Sequence, residues 1–206
     1  MYTLFGAEGS GSAAIEIALK YCGADYRLVA ASSWEEGSGR DELRRINPLL
    51  QVPTLVLPDG TVLTESAAIL TCLGLEFPAS GLLSLNPSER AVQLRGLAYI
   101  AANCYAAIGI IDYPERWLPD GNPDQLQQLV NGAKSRLYGH WETFSDVFGG
   151  TAAWRPDNPG AVEILACVVT RWAGTREHLR LLRPNFHASL LDIDCHVATA
   201  LARRCV

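Results

Sequence analysis

The chain has 206 residues, 49% apolar and 19% charged, with 17 basic against 22 acidic side chains and a formal charge of −5. This length allows one large domain or two small ones, and the composition supports a sizeable core and excludes wholesale disorder. Mild acidity with scattered lysine and arginine is a poor match for a phosphate backbone or an anionic membrane surface, so neither nucleic acid nor membrane is expected as a partner.

The opening Met1-Tyr2-Thr3-Leu4-Phe5-Gly6 has no basic stretch and no long apolar run, so no targeting segment is expected. The most apolar stretch, Leu97 to Ile111, falls short of the roughly 20 residues that span a bilayer and predicts a helix buried on most of its surface. Six cysteines stand at 22, 72, 104, 167, 195 and 205, with no C-x-x-C pair and no zinc-like Cys/His spacing. All but Cys205 lie in apolar helical patterns, which predicts buried reduced thiols acting as small hydrophobes and a reducing, cytoplasmic setting.

Tyr2 to Phe5 reads as a short buried strand, and Gly6 to Gly11 as a glycine-rich turn. Ala13 to Cys22 carries apolar residues at 15, 18, 19 and 22, a helical period, and Gly23 suits a left-handed stop. Tyr26 to Ala31 reads as a second strand, so strand, helix and strand form a parallel βαβ unit. Ser32 to Arg40 is polar and glycine-bearing and predicts a mobile loop, and Asp41 to Ile46 a short helix. Thr54–Leu57 and Thr61–Thr64 flank Pro58-Asp59-Gly60 and predict a hairpin. Ser66 then caps a helix through Phe77. Residues 78–87 read as a linker, followed by helices near 88–117, 123–148, 159–174 and 187–203; Asn122-Pro123 and Asn158-Pro159 are start signals. The predicted architecture is a small βαβ-ββα domain over 1–77 and an all-helical domain over 88–206.

The segments Asn47-Pro48-Leu49-Leu50-Gln51-Val52-Pro53-Thr54-Leu55 and Glu65-Ser66-Ala67-Ala68-Ile69 carry the chemistry. Pro53 opens a strand after a loop and suits a cis bond. A cis Val52-Pro53 bond turns the Val52 N–H and C=O outward, where they can pair with an extended peptide by strand addition. The helix beginning at Ser66 offers unpaired N–H groups to a ligand carboxylate, and Glu65 can offset a ligand ammonium. A backbone site beside an α-amino-acid site describes a γ-glutamyl peptide.

In this order and spacing, N-P-x-x-x-V-P-x-L, a D-G hairpin and E-S-x-A-I resemble the cytosolic glutathione S-transferase family, best over residues 1–77. Tyr113-Pro114-Glu115-Arg116-Trp117 resembles some bacterial members. The resemblance implies a thioredoxin-like α/β N-terminal domain, an all-α helical bundle behind it, a cytoplasmic homodimer, and detoxifying transfer chemistry with glutathione as co-substrate and no other cofactor or metal. Val52, before Pro53, would pair with the cysteinyl part of glutathione, Glu65 and Ser66 would hold the γ-glutamyl head, and Gln51 would reach the glycyl carboxylate.

Members of the family stabilise the thiolate from the end of strand one or the start of helix one, with Tyr, Ser or Cys. Here Leu4 falls at the tyrosine position, Gly11 at that of the bacterial cysteine class, and the serine position falls near Gly9 or Ser10. The chain is therefore serine- or cysteine-like rather than a tyrosine-class member. Ser10, then Ser12, is the candidate donor to the sulfur, helped by the amides of residues 10 to 12 and the helix dipole; the alternative is that these serines only cap the helix. By the same resemblance a hydrophobic electrophile lies against the long fourth helix, with Tyr99, Tyr105, Ile108 and Tyr113 on it or near its end; such aromatics also serve as core. Histidines 140, 178, 187 and 196 show no catalytic or metal spacing. Glutathione-dependent reductase, isomerase or dehalogenase chemistry on the same fold stays open, as does a non-catalytic glutathione-binding or interaction module.

Overall fold

In a computed structural model describing residues 1–32 and 37–202, the strand β1 (Tyr2–Gly6) is the hub of a four-stranded sheet ordered β2-β1-β3-β4. It pairs in parallel with β2 (Tyr26–Ala30), Leu4 opposite Leu28, and antiparallel with β3 (Thr54–Val56), Leu4 opposite Leu55. The hairpin from β3 to β4 (Val62–Thr64) turns at Pro58–Gly60, where the Thr61 N–H donates to Asp59 Oδ1 at 2.8 Å. Leu4 and Phe5, on opposite faces of β1, are both fully covered, as a central strand requires.

Helices α1 (Ser12–Tyr21) and α3 (Ser66–Glu76) cover one face of the sheet, and α2 (Ser38–Ile46) the other, where Phe5, Ala31 and Leu43 form a small separate core. Gly23 ends the first helix at φ 61°, a left-handed conformation that carries no Cβ penalty there. A parallel βαβ unit followed by a hairpin and α3 is the order expected from the sequence.

The long apolar helix is continuous from Pro87 to Asp112 but changes its winding. It runs as α4 (Pro87–Tyr99), a π-helical segment Ile100–Tyr105, and α5 (Ala106–Asp112). It stops at Asp112 rather than near 117, because Pro114 has no N–H to continue it and drives Tyr113 to φ −136°. Although it passes the length and apolarity of a membrane span, Leu97, Ile100 and Cys104 are buried among neighbouring helices, as in a core helix. Helix α6 (Pro123–Phe148) begins at the expected Asn122-Pro123 signal, with a reciprocal Asn122–Gln125 capping box.

Helix α7 (Ala161–Val169) is shorter than 159–174: it starts behind an extended Gly160 and not at the Asn158-Pro159 signal, and beyond its end Ala173 and Gly174 both adopt positive φ, which no right-handed helix continues. That break starts α8 (Thr175–Leu182), not expected from the sequence; α9 (Pro184–Ala202) begins three residues early, with Pro184 at its first position. Residue 203 of the expected last helix and residues 33–36 of the expected loop lie outside the described residues. Phe144 sits among the rings of Tyr99, Trp141, Phe148, Trp154 and Phe186 at the centre of the helical half. Helix α7, buried throughout, packs on α1, α3 and α4 and joins the two halves in one continuous apolar core.

The cysteines depart from uniform burial. Cys104 and Cys167 are buried, Cys22 and Cys72 half-buried, and Cys195 exposed because it faces away from the α7–α9 packing; Cys205 lies outside the described residues.

Candidate glutathione site

A cleft of about 1230 Å³ opens where the β1–α1 loop, the loop before β3, the start of α3 and the end of the long apolar helix meet. Of the residues expected at the site, Ser10, Gln51, Val52, Pro53, Glu65, Ser66, Tyr105 and Tyr113 all line it. Ser12 is buried behind Ser10 and is not part of the wall.

The loop before β3 is held from inside by Asn47. Its buried amide donates to the Gln51 carbonyl at 3.1 Å and to Thr54 Oγ1 at 2.9 Å, and its Oδ1 accepts the Leu49 N–H at 3.1 Å. Thr54 Oγ1 donates to the same Gln51 carbonyl at 2.8 Å. Val52 is fixed between these anchors, and its bond to Pro53 is cis, as anticipated. The Gln51 side chain is exposed at the cleft edge.

At the start of α3, Glu65 has φ 64° and ψ 113°, a sparsely populated conformation for a residue with a side chain. It makes no side-chain cap, so the first amides of α3 remain available to a ligand anion. Ser66 is buried at the cleft wall while the Glu65 side chain is exposed. An anion-binding helix start beside a carboxylate is complementary to an α-amino acid.

The β1–α1 loop is closed on itself. Ser10 Oγ donates to the Ala7 carbonyl at 2.7 Å and lies 2.8 Å from Ser12 Oγ. Ser12 Oγ is 3.2 Å from that carbonyl and accepts the Ala7 N–H at 3.1 Å. The sequence predicts that one of these hydroxyls or the amides of 10 to 12 meets a ligand sulfur. Both hydroxyl protons instead have acceptors within the loop. The Ser10 N–H is bonded to the Ala7 carbonyl and the Ser12 N–H to Ser10 Oγ. Among the described residues, the Gly11 N–H is the one of the three amides without a partner.

Tyr105 reaches this loop from the last position of the π-helical segment. Its hydroxyl is buried against Gly11, where any Cβ would collide with it, and has no hydrogen-bond partner among the described residues. Burial pushes its pKa up to about 12; Ser66 nearby offsets part of that rise without completing a hydrogen bond, and Glu65 adds to it. Its ring meets Trp172 edge-on at 5.8 Å, and Trp172 Nε1 donates to the Gly9 carbonyl at 3.1 Å.

The outer cleft is lined by Tyr113, Trp117 and Trp172 together with Arg116 and Arg171. Arg116 stacks over the Tyr113 ring at 3.9 Å, and Arg171 is paired with Asp194. Tyr99 instead faces the aromatic core and donates to the His140 carbonyl at 3.1 Å, outside the cleft. Sequence reasoning missed Asn47, Arg116, Trp117, Arg171 and Trp172. Asn47 was visible as the first residue of the Asn-Pro pair, whereas Arg171 and Trp172 enter through the unforeseen break after α7.

Sheet, helical bundle and cleft define a thioredoxin-like fold with a helical partner and a site suited to a γ-glutamyl peptide. Residues 12–75 match the family model described as the N-terminal domain of glutathione S-transferase. The chain is 36% identical over 139 residues to the uncharacterized GST-like protein YncG of Escherichia coli K12, covering 67% of each chain. It is 34% identical over 143 residues to the glutathione S-transferase GstA of Escherichia coli O157:H7, covering 67% of this chain and 71% of that one. In shape it is similar to a glutathione transferase homologue from Sulfitobacter, solved with bound glutathione, at a TM-score of 0.77 and 19% identity over 97% of this chain and 98% of that one. The chain belongs to the glutathione S-transferase family.

Proposed function

We propose that this protein binds reduced glutathione in the cleft, holds its sulfur as a thiolate, and adds it to a hydrophobic electrophile lodged in the outer cleft. The observation that carries this reading is the convergence on one cleft of Val52, the uncapped start of α3 with Ser66, and the β1–α1 loop at Gly9–Gly11. In this reading the Val52 N–H and C=O pair with the cysteinyl unit. Ser66 and the first amides of α3 hold the γ-glutamyl carboxylate, Glu65 offsets its ammonium, and Gln51 meets the glycyl carboxylate. Tyr105 and Tyr113 flank the reacting centre, with Trp117 and Trp172 supplying apolar faces to the electrophile.

Residues 1–77 act as the glutathione-binding unit and 88–206 as the helical unit that closes the cleft, in a cytoplasmic homodimer; the family resemblance supports this part. Light scattering tests the dimer. Titration calorimetry with reduced glutathione tests binding, and turnover with aryl halides, epoxides and hydroperoxides tests transfer. No heat with millimolar glutathione overturns the reading, and heat without turnover on any of these reduces it to a binding protein.

A further inference from the structure

We infer that the Tyr105 hydroxyl, together with the Gly11 amide, is the donor pair that holds the glutathione sulfur as a thiolate, making a residue of the long apolar helix a catalytic residue of the β1–α1 loop's site. The inference rests on the glutathione reading above and adds the atom that activates the nucleophile.

Three independent features support it. First, the loop's own hydroxyls are committed: Ser10 donates to the Ala7 carbonyl, and Ser12 has that carbonyl and Ser10 Oγ as its acceptors. Each hydroxyl has one proton, so neither donates to a sulfur without giving up a bond within the loop. Second, two uncommitted donors meet at residue 11: the Gly11 N–H and the buried, unpartnered Tyr105 O–H. A buried hydroxyl without a partner is costly and calls for an explanation; a ligand acceptor at the cleft wall supplies one. Third, the placement is built. The π-helical winding ends on Tyr105, a distortion often found at functional sites. Trp172 packs against its ring and bonds the adjoining Gly9 carbonyl. The bare Cα of Gly11 makes the room, since any side chain there strikes the hydroxyl.

Burial keeps the phenol protonated at neutral pH, with its pKa near the top of its range at about 12, so it donates a hydrogen bond and does not serve as a base. On binding, the glutathione S–H proton passes to bulk water and the sulfur lone pair accepts from Tyr105 and Gly11. With an aryl halide the S–C bond then forms, the C–halogen bond breaks, and halide leaves with the electron pair. Tyr105 keeps its proton throughout.

The test is a set of variants read by two separate measurements: glutathione affinity by calorimetry, and the pKa of the bound thiol by ultraviolet absorbance of the thiolate. Tyr105→Phe keeps the ring and its packing on Trp172 and removes only the hydroxyl. Affinity is expected to stay within about threefold. A charge-assisted hydrogen bond of about 1.5–3 kcal/mol corresponds to a bound-thiol pKa raised by about 1–2 pH units. The pH profile of kcat/KM with an aryl halide moves by the same interval, a loss of about 10- to 100-fold on its acidic side. Gly11→Ala, which displaces the hydroxyl, moves both in the same direction. A thiol pKa unchanged in Tyr105→Phe overturns the assignment, as does a rise confined to Ser10→Ala or Ser12→Ala. Wild-type protein that gives no heat with glutathione overturns the underlying reading instead, so the two failures are distinct.

Discussion

Replacing Asn47 by Ala tests whether the Val52 docking edge is held from the interior. Asn47 is buried and makes three hydrogen bonds, two donated and one accepted. At about 0.5–1.5 kcal/mol for each neutral bond the variant loses about 1.5–4.5 kcal/mol. The loss falls mid-range, because the Gln51 carbonyl keeps its bond from Thr54 and the exposed Leu49 can turn its N–H to water, while Thr54 Oγ1 loses its donor inside the loop. The expectation is about 2–4 kcal/mol. Thr54→Val keeps the shape of a fully buried side chain and removes two bonds, for about 1–2 kcal/mol. Because Asn47 and Thr54 bond each other and share the Gln51 carbonyl, the double variant loses less than the sum, with a coupling of about 1 kcal/mol. Urea unfolding of the four proteins measures this: an Asn47→Ala midpoint lower by about 1 M at unchanged m-value is expected. Glutathione affinity falls in parallel, since Val52 lies between the two anchors. A loss below about 1 kcal/mol, or strict additivity with Thr54→Val, refutes an interior hold on this loop.

Ser66→Ala removes one charge-assisted bond from the proposed γ-glutamyl site, and calorimetry should show glutathione bound about 10- to 100-fold more weakly. Glu163 is fully buried and accepts the Arg155 N–H at 2.9 Å and the Gly160 N–H at 2.8 Å ahead of α7. In Glu163→Gln one of those donors faces an NH2 group, so thermal unfolding should show a loss of about 2–4 kcal/mol, or about 5–15 °C. Asp194 is pushed up by burial, but the Cys167 thiol and the Arg171 and Arg176 guanidiniums outweigh this and hold it below the ordinary carboxylate range. Its contribution is therefore present above its unfolded-state pKa and lost as pH falls through the lower folded value. Denaturant unfolding across acidic pH should show a steeper decline for wild type than for Asp194→Asn, which lacks that titration; parallel curves refute the pairing.

Local chemistry made much of the fold legible in the sequence. The hairpin declares itself through Pro58-Asp59-Gly60 and α6 through Asn122-Pro123, because turns and caps depend on neighbouring residues. The α7–α8 break does not, since the positive φ at Ala173 is imposed by packing and alanine has no preference for it. The π-helical stretch is equally silent, its residues being ordinary helix formers. The positions of the glutathione motif were readable as a set, yet the hold on the loop was not. Asn47 reads as punctuation until its amide is seen to reach residues 51 and 54.

The serines of the β1–α1 loop show where a one-dimensional reading breaks down. A Ser-Gly-Ser at a helix start reads as a donor to a ligand or as a cap. Whether either proton is spare depends on the Ala7 carbonyl bending back to meet both. Once that carbonyl takes them, the remaining donors come from places sequence order does not connect: an amide at residue 11, and a phenol at 105 on a different helix. A glycine at 11 then has a steric meaning, because it admits a donor from above in place of one from its own side chain. The helical half contributes a second hold, the Trp172 indole on the Gly9 carbonyl. The neighbouring Arg171 in the cleft wall is tied through Asp194 to Arg176. On the proposed assignment, the electrostatics at the sulfur are set by how the long apolar helix and the α7–α8 turn pack on the loop, so substitutions in that packing layer are expected to alter thiol acidity without touching a residue of the glutathione motif.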